Sequence, residues 1–424
     1  METDDKIICA NTKLPVEVIL LIIEHLVTKN EPRPILPASD LTTKTLLALT
    51  TVSKAIYPVA SRLLFQNCLY IDSCEKAQQF RYYLSQKSPV TGRSPCEAYG
   101  SARLFLSPFT SLGGYSSPGY APVSPVMPST PAHSLPHGDP EPDPLEPQHS
   151  EEAIPSPDYS PDSPVSPLSD LPTVKAVNEI LITLAPILKS IVVDMPLRSL
   201  YPEDDHQRVR KILRHGFEAL INIEELTSVR DELYLATVER LGDSWAREPE
   251  VWAQWPKLRR LALYNVMADN DLWEVMMSCE QLEVAVFTRP DYEYDHGWML
   301  PNIKQQWCTA WNAVKNKRGM TSSNDEMPYQ GPEITLAFCN WASSLVSFDE
   351  LLPRWHALDP DNRICIMTVP TDGAQAGGDE QDTDDVIWDS QYWIKERALH
   401  GTLWENIKTE NNFTTSRIER AIEG

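Results

Sequence analysis

The chain is predicted to be a mixed α+β and α/β multidomain protein, with a small helical module in front, a proline-rich segment in the middle and a larger α/β domain behind. Two distributions predict this. Across residues 107–172 nearly every fourth residue is proline, set among Ser, Gly, Asp and Glu, and too few large apolar side chains remain to offset the entropy of ordering. All twelve tryptophans follow that segment, from Trp245 to Trp404. The expected parts are residues 1–84, a disordered Pro/Ser-rich linker over 85–172, and a domain over 173–424.

The front module is carried by three helical patterns. Residues 14–27 are apolar almost all the way round, with Val18, Leu21, Ile22 and Leu26 on one face and Val16, Ile19, Leu20 and Ile23 on another. Only Glu17, Glu24 and His25 interrupt the run. A helix of about four turns that is hydrophobic on every side must be covered on every side, and it is too short to span a bilayer. Pro15 suits its first turn, where the missing N–H has no helical partner. After a loop containing Pro32, Pro34 and Pro37, Thr42 or Thr43 can cap a second helix with Leu46, Leu47, Leu49 and Val52. A third is expected from about Pro58, with Val59, Leu63, Leu64 and Phe65. Three short helices make a small core, which again argues for a partner.

The order of these residues resembles a known family. Leu14-Pro15-Val16-Glu17-Val18, followed by Ile22, Ile23 and Leu26, looks like the opening helix of F-box proteins. Residues 46–54 and 60–65 resemble that family's second and third helices. The resemblance implies a substrate-recruiting subunit of a ubiquitin ligase, docked on a Skp-type adaptor and through it on a cullin. Carried over by position, Leu14, Pro15, Val18, Ile22, Leu26, Leu49 and Val52 become the candidate adaptor-binding residues. The stretch from Thr28 to Asp40 departs from the family, being longer and richer in proline than the usual loop.

Behind the proline-rich segment, residues 188–193, 223–226, 258–263 and 279–284 share a loose L-x-x-L-x-L beat. Their starts lie 35, 35 and 21 residues apart. A strand with a returning helix at that spacing is the unit of a leucine-rich-repeat solenoid. The domain is therefore expected to be a degenerate leucine-rich-repeat-like array, with helices near 204–220 and 271–278 and further strands at 334–338 and 364–369. A single α/β domain without a repeat law is the alternative. Residues 194–205 and 255–265 also look like blocks found in filamentous-fungal F-box proteins.

Chemistry is scarce. There is no G-x-S-x-G elbow, Walker or Rossmann glycine pattern, or H-E-x-x-H. Eight cysteines and nine histidines are scattered without metal-ligand spacing, so neither metal nor cofactor is expected. The acidic run at 377–385 is expected to be a solvated loop. With 37 basic against 60 acidic residues the formal charge is −23, which disfavours nucleic acid and anionic membrane as partners. No apolar run reaches the roughly 18 residues of a membrane span, so a cytoplasmic or nuclear protein is expected.

Candidate client-binding residues are Arg208, Arg210, Lys211 and Arg214, which crowd one helix of an acidic chain and could hold an acidic or phosphorylated peptide. Trp252, Trp255, Trp307, Trp311, Trp388 and Trp393 offer either core packing or an aromatic platform. Ser107, Ser117, Ser124, Thr130, Ser156, Ser160, Ser163 and Ser166 each precede proline and are candidate phosphosites. Two functions fit: an adaptor that links a client of unknown identity to a ligase, and a non-catalytic scaffold that recruits protein partners without ubiquitination. Neither makes the chain an enzyme.

Overall fold

A computed structural model describes residues 14–27, 34–109, 166–238, 248–290, 302–317, 328–339, 352–369, 383–405 and 407. The front helices are α1 (Val16–Glu24), α2 (Leu41–Thr50) and α3 (Tyr57–Asn67). Ile23, Val27, Leu46, Ile56, Ala60 and Leu63 form their shared core. The cap of α2 lies two to three residues before the threonines expected to supply it. Asp40 caps it, accepting from the Thr42 N–H at 2.7 Å, because a carboxylate at that position also complements the positive helix end.

From α3 the chain enters a sheet without leaving the front module. Strand β1 (Leu69–Ile71) follows at once, then α4 (Cys74–Leu84), the short α5 (Pro95–Ala98) and β2 (Ala102–Leu106). Ser94 and Glu97 make a reciprocal cap at the start of α5. These elements correct the expected linker over 85–172, whose described residues 85–109 are folded. Leu104, Phe105 and Leu106 are buried on both sides of the sheet, a pattern that the nearby prolines concealed.

The remaining elements alternate: α6 (Leu171–Leu184), β3 (Leu188–Val193), α7 (Val209–Glu218), β4 (Glu225–Ser228), β5 (Arg260–Tyr264), α8 (Asn270–Met276), β6 (Val284–Thr288), α9 (Ile303–Lys317), β7 (Ile334–Cys339), α10 (Leu352–Leu358), β8 (Ile364–Val369) and α11 (Thr383–Leu399). All eight strands are parallel neighbours in chain order, β1 to β8. Parallel strands require a crossover connection, which the intervening helices and loops supply.

Register explains the beat of leucines. Leu104, Ile191, Leu226, Leu261, Ala285, Leu336 and Ile366 pair in one row across seven strands and belong to the main core. On that face lie Val177 and Leu181 of α6, Leu213 and Phe217 of α7, and Trp273 of α8. Gly216 lets α7 approach α6 closely, since a Cβ there would stand 3.1 Å from the Cα of Asn178. The next residues along each strand, Phe105, Val192, Thr227, Ala262, Val286, Ala337 and Met367, form a second row that points to the opposite face.

Several expected boundaries shift. The strand expected at 279–284 starts only at Val284, because Leu282 sits in the turn that leads into it, its N–H donating to Cys279 O at 3.0 Å. The helix expected at 204–220 is cut to Val209–Glu218. Residues 202–204 form a separate 3-10 turn, and Arg208 takes φ 58 just before the helix. Both carboxylate oxygens of Asp205 then accept the first helical N–H groups, Val209 at 2.7 Å and Arg210 at 2.8 Å. The acidic run at 377–385 surrenders its last three residues to α11. The segments expected as strands at 334–338 and 364–369 are β7 and β8.

Candidate docking surface

The front module displays apolar side chains on its outside. On α1, Ile19, Leu20, Ile23 and Val27 turn to the three-helix core, which leaves the other side of the helix outward. Leu14 is 60% exposed and Ile22 53%, and Val16, Val18, Leu21 and Leu26 are exposed beside them. Pro15 is exposed as well. On and after α2, Leu41, Leu47 and Val52 also face out, while Leu49 is half-buried against the core. Of the seven candidate adaptor-binding residues six are thus accessible, and Leu49 supports them from within. Val16 and Leu21 of α1 and Leu41 and Leu47 of α2 are exposed as well and lie outside the candidate set. For α1 the signal is a helix with more apolar residues than one buried stripe can use. Arg62 and Glu24 pair at 3.1 Å between α3 and α1, a charged contact that holds these helices together and leaves the leucines uncovered.

The basic helix is arranged differently from its expectation. Arg208 and Lys211 are exposed, but Arg210 is only 2% exposed and Arg214 9%. The Arg210 guanidinium donates to four backbone carbonyls, those of Leu197 at 3.0 Å, Tyr234 at 2.8 Å, Leu200 and Ala236. It also lies 4.3 Å from the ring centre of Tyr234. Arg214 donates to Pro249 O at 2.8 Å and to the Glu218 carboxylate at 2.8 Å. Two of the four candidate client contacts are therefore internal clamps that tie α7 to the loops after β3 and β4.

Asp231 completes this clamp. It is 1% exposed and accepts the N–H groups of Leu233 at 2.9 Å and Leu197 at 3.2 Å. Burial first, and then the charge of Glu232, push its carboxyl up from the ordinary range to about 7, against the pull of Arg198 and the backbone donors. Glu232 itself pairs with Arg198.

The other candidates divide in the same way. Ser107 is buried and its N–H donates to Ile71 O at 2.7 Å, which closes it to a kinase in the folded chain. Ser166 faces Ser199 at 2.9 Å, hydroxyl to hydroxyl, and accepts from Leu168 N–H. Ser117, Ser124, Thr130, Ser156, Ser160 and Ser163 lie outside the described residues. Trp252, Trp255, Trp307 and Trp393 are buried, and Trp255 donates to Phe217 O at 3.0 Å. Trp311 is partly buried, edge-on to Tyr329. Trp388 lies on α11. Trp252, Trp255, Trp307 and Trp393 thus fill the interior, and the side chain of Trp388 lies outside the described residues.

Among the described residues there is no group of three or more His, Cys, Asp or Glu side chains that could hold a metal. No described helix is long and apolar enough to cross a membrane. The cysteines there are free thiols, and burial pushes Cys279 up to about 12, far from the thiolate form that nucleophilic chemistry requires. Compared with family models, curated proteins and solved structures, the chain matches none.

Proposed function

We propose that the protein is an F-box-type adaptor, whose α1 face docks a Skp-type adaptor hung from a cullin and whose eight-stranded array presents a client for ubiquitination. The observation that carries this reading is the outward side of α1, where large apolar side chains stand in water although the helix has already supplied a core on its other side. Contiguous apolar surface of this kind marks an interaction site. It includes Leu14, Pro15, Val18, Ile22 and Leu26, which the F-box resemblance assigns to the adaptor contact. The sequential parallel sheet supports a reading as degenerate leucine-rich repeats, in which each strand and its return make one unit. Catalysis then resides in the ubiquitin-carrying partner, and tethering raises the client's effective concentration there.

The test is capture by a purified Skp-type adaptor. The intact chain is expected to hold it, and Leu14→Ala with Pro15→Ala is expected to lose it, since one buried leucine is worth about 2 kcal/mol at roughly 25 cal/mol per Å². Far-ultraviolet circular dichroism should be unchanged, because both residues are exposed. An intact chain that ignores the adaptor, or a double variant that still binds it, would turn the reading to a scaffold that recruits partners without ubiquitination.

A further inference from the structure

The second apolar surface of the molecule is covered by the chain itself. On the sheet face away from α6 and α7, Phe105, Val192, Ala262, Val286, Ala337 and Met367 are buried beneath α11 and the residues after it. Trp393, Ile394, Ala398, Leu399, Leu403 and Ile407 supply the cover. One polar anchor pins it. Asp194, at the end of β3 and 4% exposed, accepts from Lys395 of α11 at 2.7 Å with one carboxylate oxygen and from Arg230 at 2.5 Å with the other.

The same helix reaches the front of the chain. Ile35, from the long segment between α1 and α2, is 2% exposed and belongs to the cluster under α11. Its N–H donates to Leu399 O, the last residue of α11, at 2.7 Å. The next N–H, that of Leu36, donates to Asn67 O at the end of α3, also at 2.7 Å. Two successive backbone donors thus join α11 to α3. The segment that departs from the family pattern is the one that makes this joint.

We infer that α11 is a clasp between the two ends of the chain: it closes the second face of the sheet, and through Ile35 it holds the three front helices at a set angle to that sheet. If α1 carries the adaptor, a point that rests on the proposed function, the clasp sets where a client on the array stands relative to the ubiquitin-carrying enzyme. Clients are then excluded from the covered rows of the sheet. Its two fastenings sit one turn apart near the end of α11, the ion-pair anchor at Lys395 and the backbone joint from Ile35 to Leu399, so opening either should loosen the same stretch of the helix.

Coupling between these fastenings and the rest of α11 is the measurable consequence. In the full chain, Lys395→Met and Ile35→Ala are each followed by backbone hydrogen exchange. Lys395→Met is expected to speed exchange of the Ile35 and Leu36 amides about tenfold, and Ile35→Ala to speed exchange along α11 as far back as its first turns by a similar factor, while β5 and β6 amides keep their protection. Acceleration confined to the substituted residue and the turn of α11 from Lys395 to Leu399 would overturn the clasp. So would equal acceleration through β5 and β6, since α11 would then open only with the whole fold. Both variants should capture the adaptor as the parent does and ubiquitinate a client less well. If the parent fails to capture adaptor, the adaptor reading falls while the exchange result still decides the clasp.

Discussion

Helices α1 and α7 invert the usual arrangement in opposite directions. The first sets Leu14, Val18, Leu21, Ile22 and Leu26 in water, and the second buries Arg210 and Arg214. On α7 the inversion is internally satisfied: every carbonyl around Arg210 belongs to this chain, and Tyr234 covers the guanidinium face. A buried charge whose hydrogen bonds are supplied from within the fold needs no outside partner. On α1 the inversion is left open, for no described side chain covers those leucines. Polarity in the wrong place therefore has two meanings, and the difference lies in whether the fold supplies the partner.

The most severe way to break this comparison is to remove the clamp. Arg210→Glu places a carboxylate among four carbonyl oxygens and leaves the loops at 197–200 and 234–236 without their donor. The expected loss is on the order of 4 kcal/mol or more, read as a large fall in the thermal midpoint or as insoluble protein. Were Arg210→Glu to fold with parental stability and lose a client, the guanidinium would be a recognition group after all.

A smaller effect is expected at Asp231, whose carboxyl is raised from the ordinary 3.8 to about 7 by burial and by Glu232. Between those values the folded chain keeps a proton that the unfolded chain has released. Stability from this group is therefore present at low pH and declines as pH rises toward 7. Asp231→Asn should flatten that part of the stability profile while costing about 1 kcal/mol through a poorer acceptor for the Leu197 and Leu233 N–H groups. An unchanged slope in denaturation measured from pH 4.5 to 7.5 would show that the backbone donors already keep the carboxylate ionised. The clamp would then be charged throughout.

Much of this was legible in the residues, and the rest failed for physical reasons. Runs at 188–193, 334–338 and 364–369 are strands because they are apolar on both faces, as a covered parallel sheet requires. β1 was missed because three residues carry no periodicity, and β2 because composition was averaged over the prolines that follow it. Charge alone makes Arg210 and Arg214 candidate client contacts, although their spacing is the more informative signal. With Leu213 and Phe217 they complete the i, i+3, i+4, i+7 stripe of α7, and residues on that stripe face inward whatever their charge. The apolar excess of α1 was legible from the start, since one stripe of a short helix cannot bury that many large side chains. The joint between Ile35 and α11 was beyond reach, because it links positions 35 and 399 through a turn of backbone that no local pattern encodes.

The finest test of the comparison uses two adjacent residues of α1. Ile23 is 3% exposed and Ile22 is 53% exposed, so consecutive isoleucines of the same helix stand on opposite sides of the boundary between core and surface. Ile23→Ala should cost on the order of 2–4 kcal/mol, the usual range for a core isoleucine, and loosen the packing on Leu46, Ala60 and Leu63. Ile22→Ala removes the same atoms from a place where they touch little, and alanine is the better helix former by a few tenths of a kcal/mol. Its stability should therefore equal or slightly exceed that of the parent in urea denaturation. Adaptor affinity should move the other way, falling about tenfold or more for Ile22→Ala, since the methyl groups that are idle in the free chain become buried in the complex. An Ile22→Ala chain that lost stability would mean that this side of α1 is already covered within the molecule. A chain that kept both stability and adaptor affinity would move the contact away from the centre of α1, toward Leu41 and Leu47 of α2.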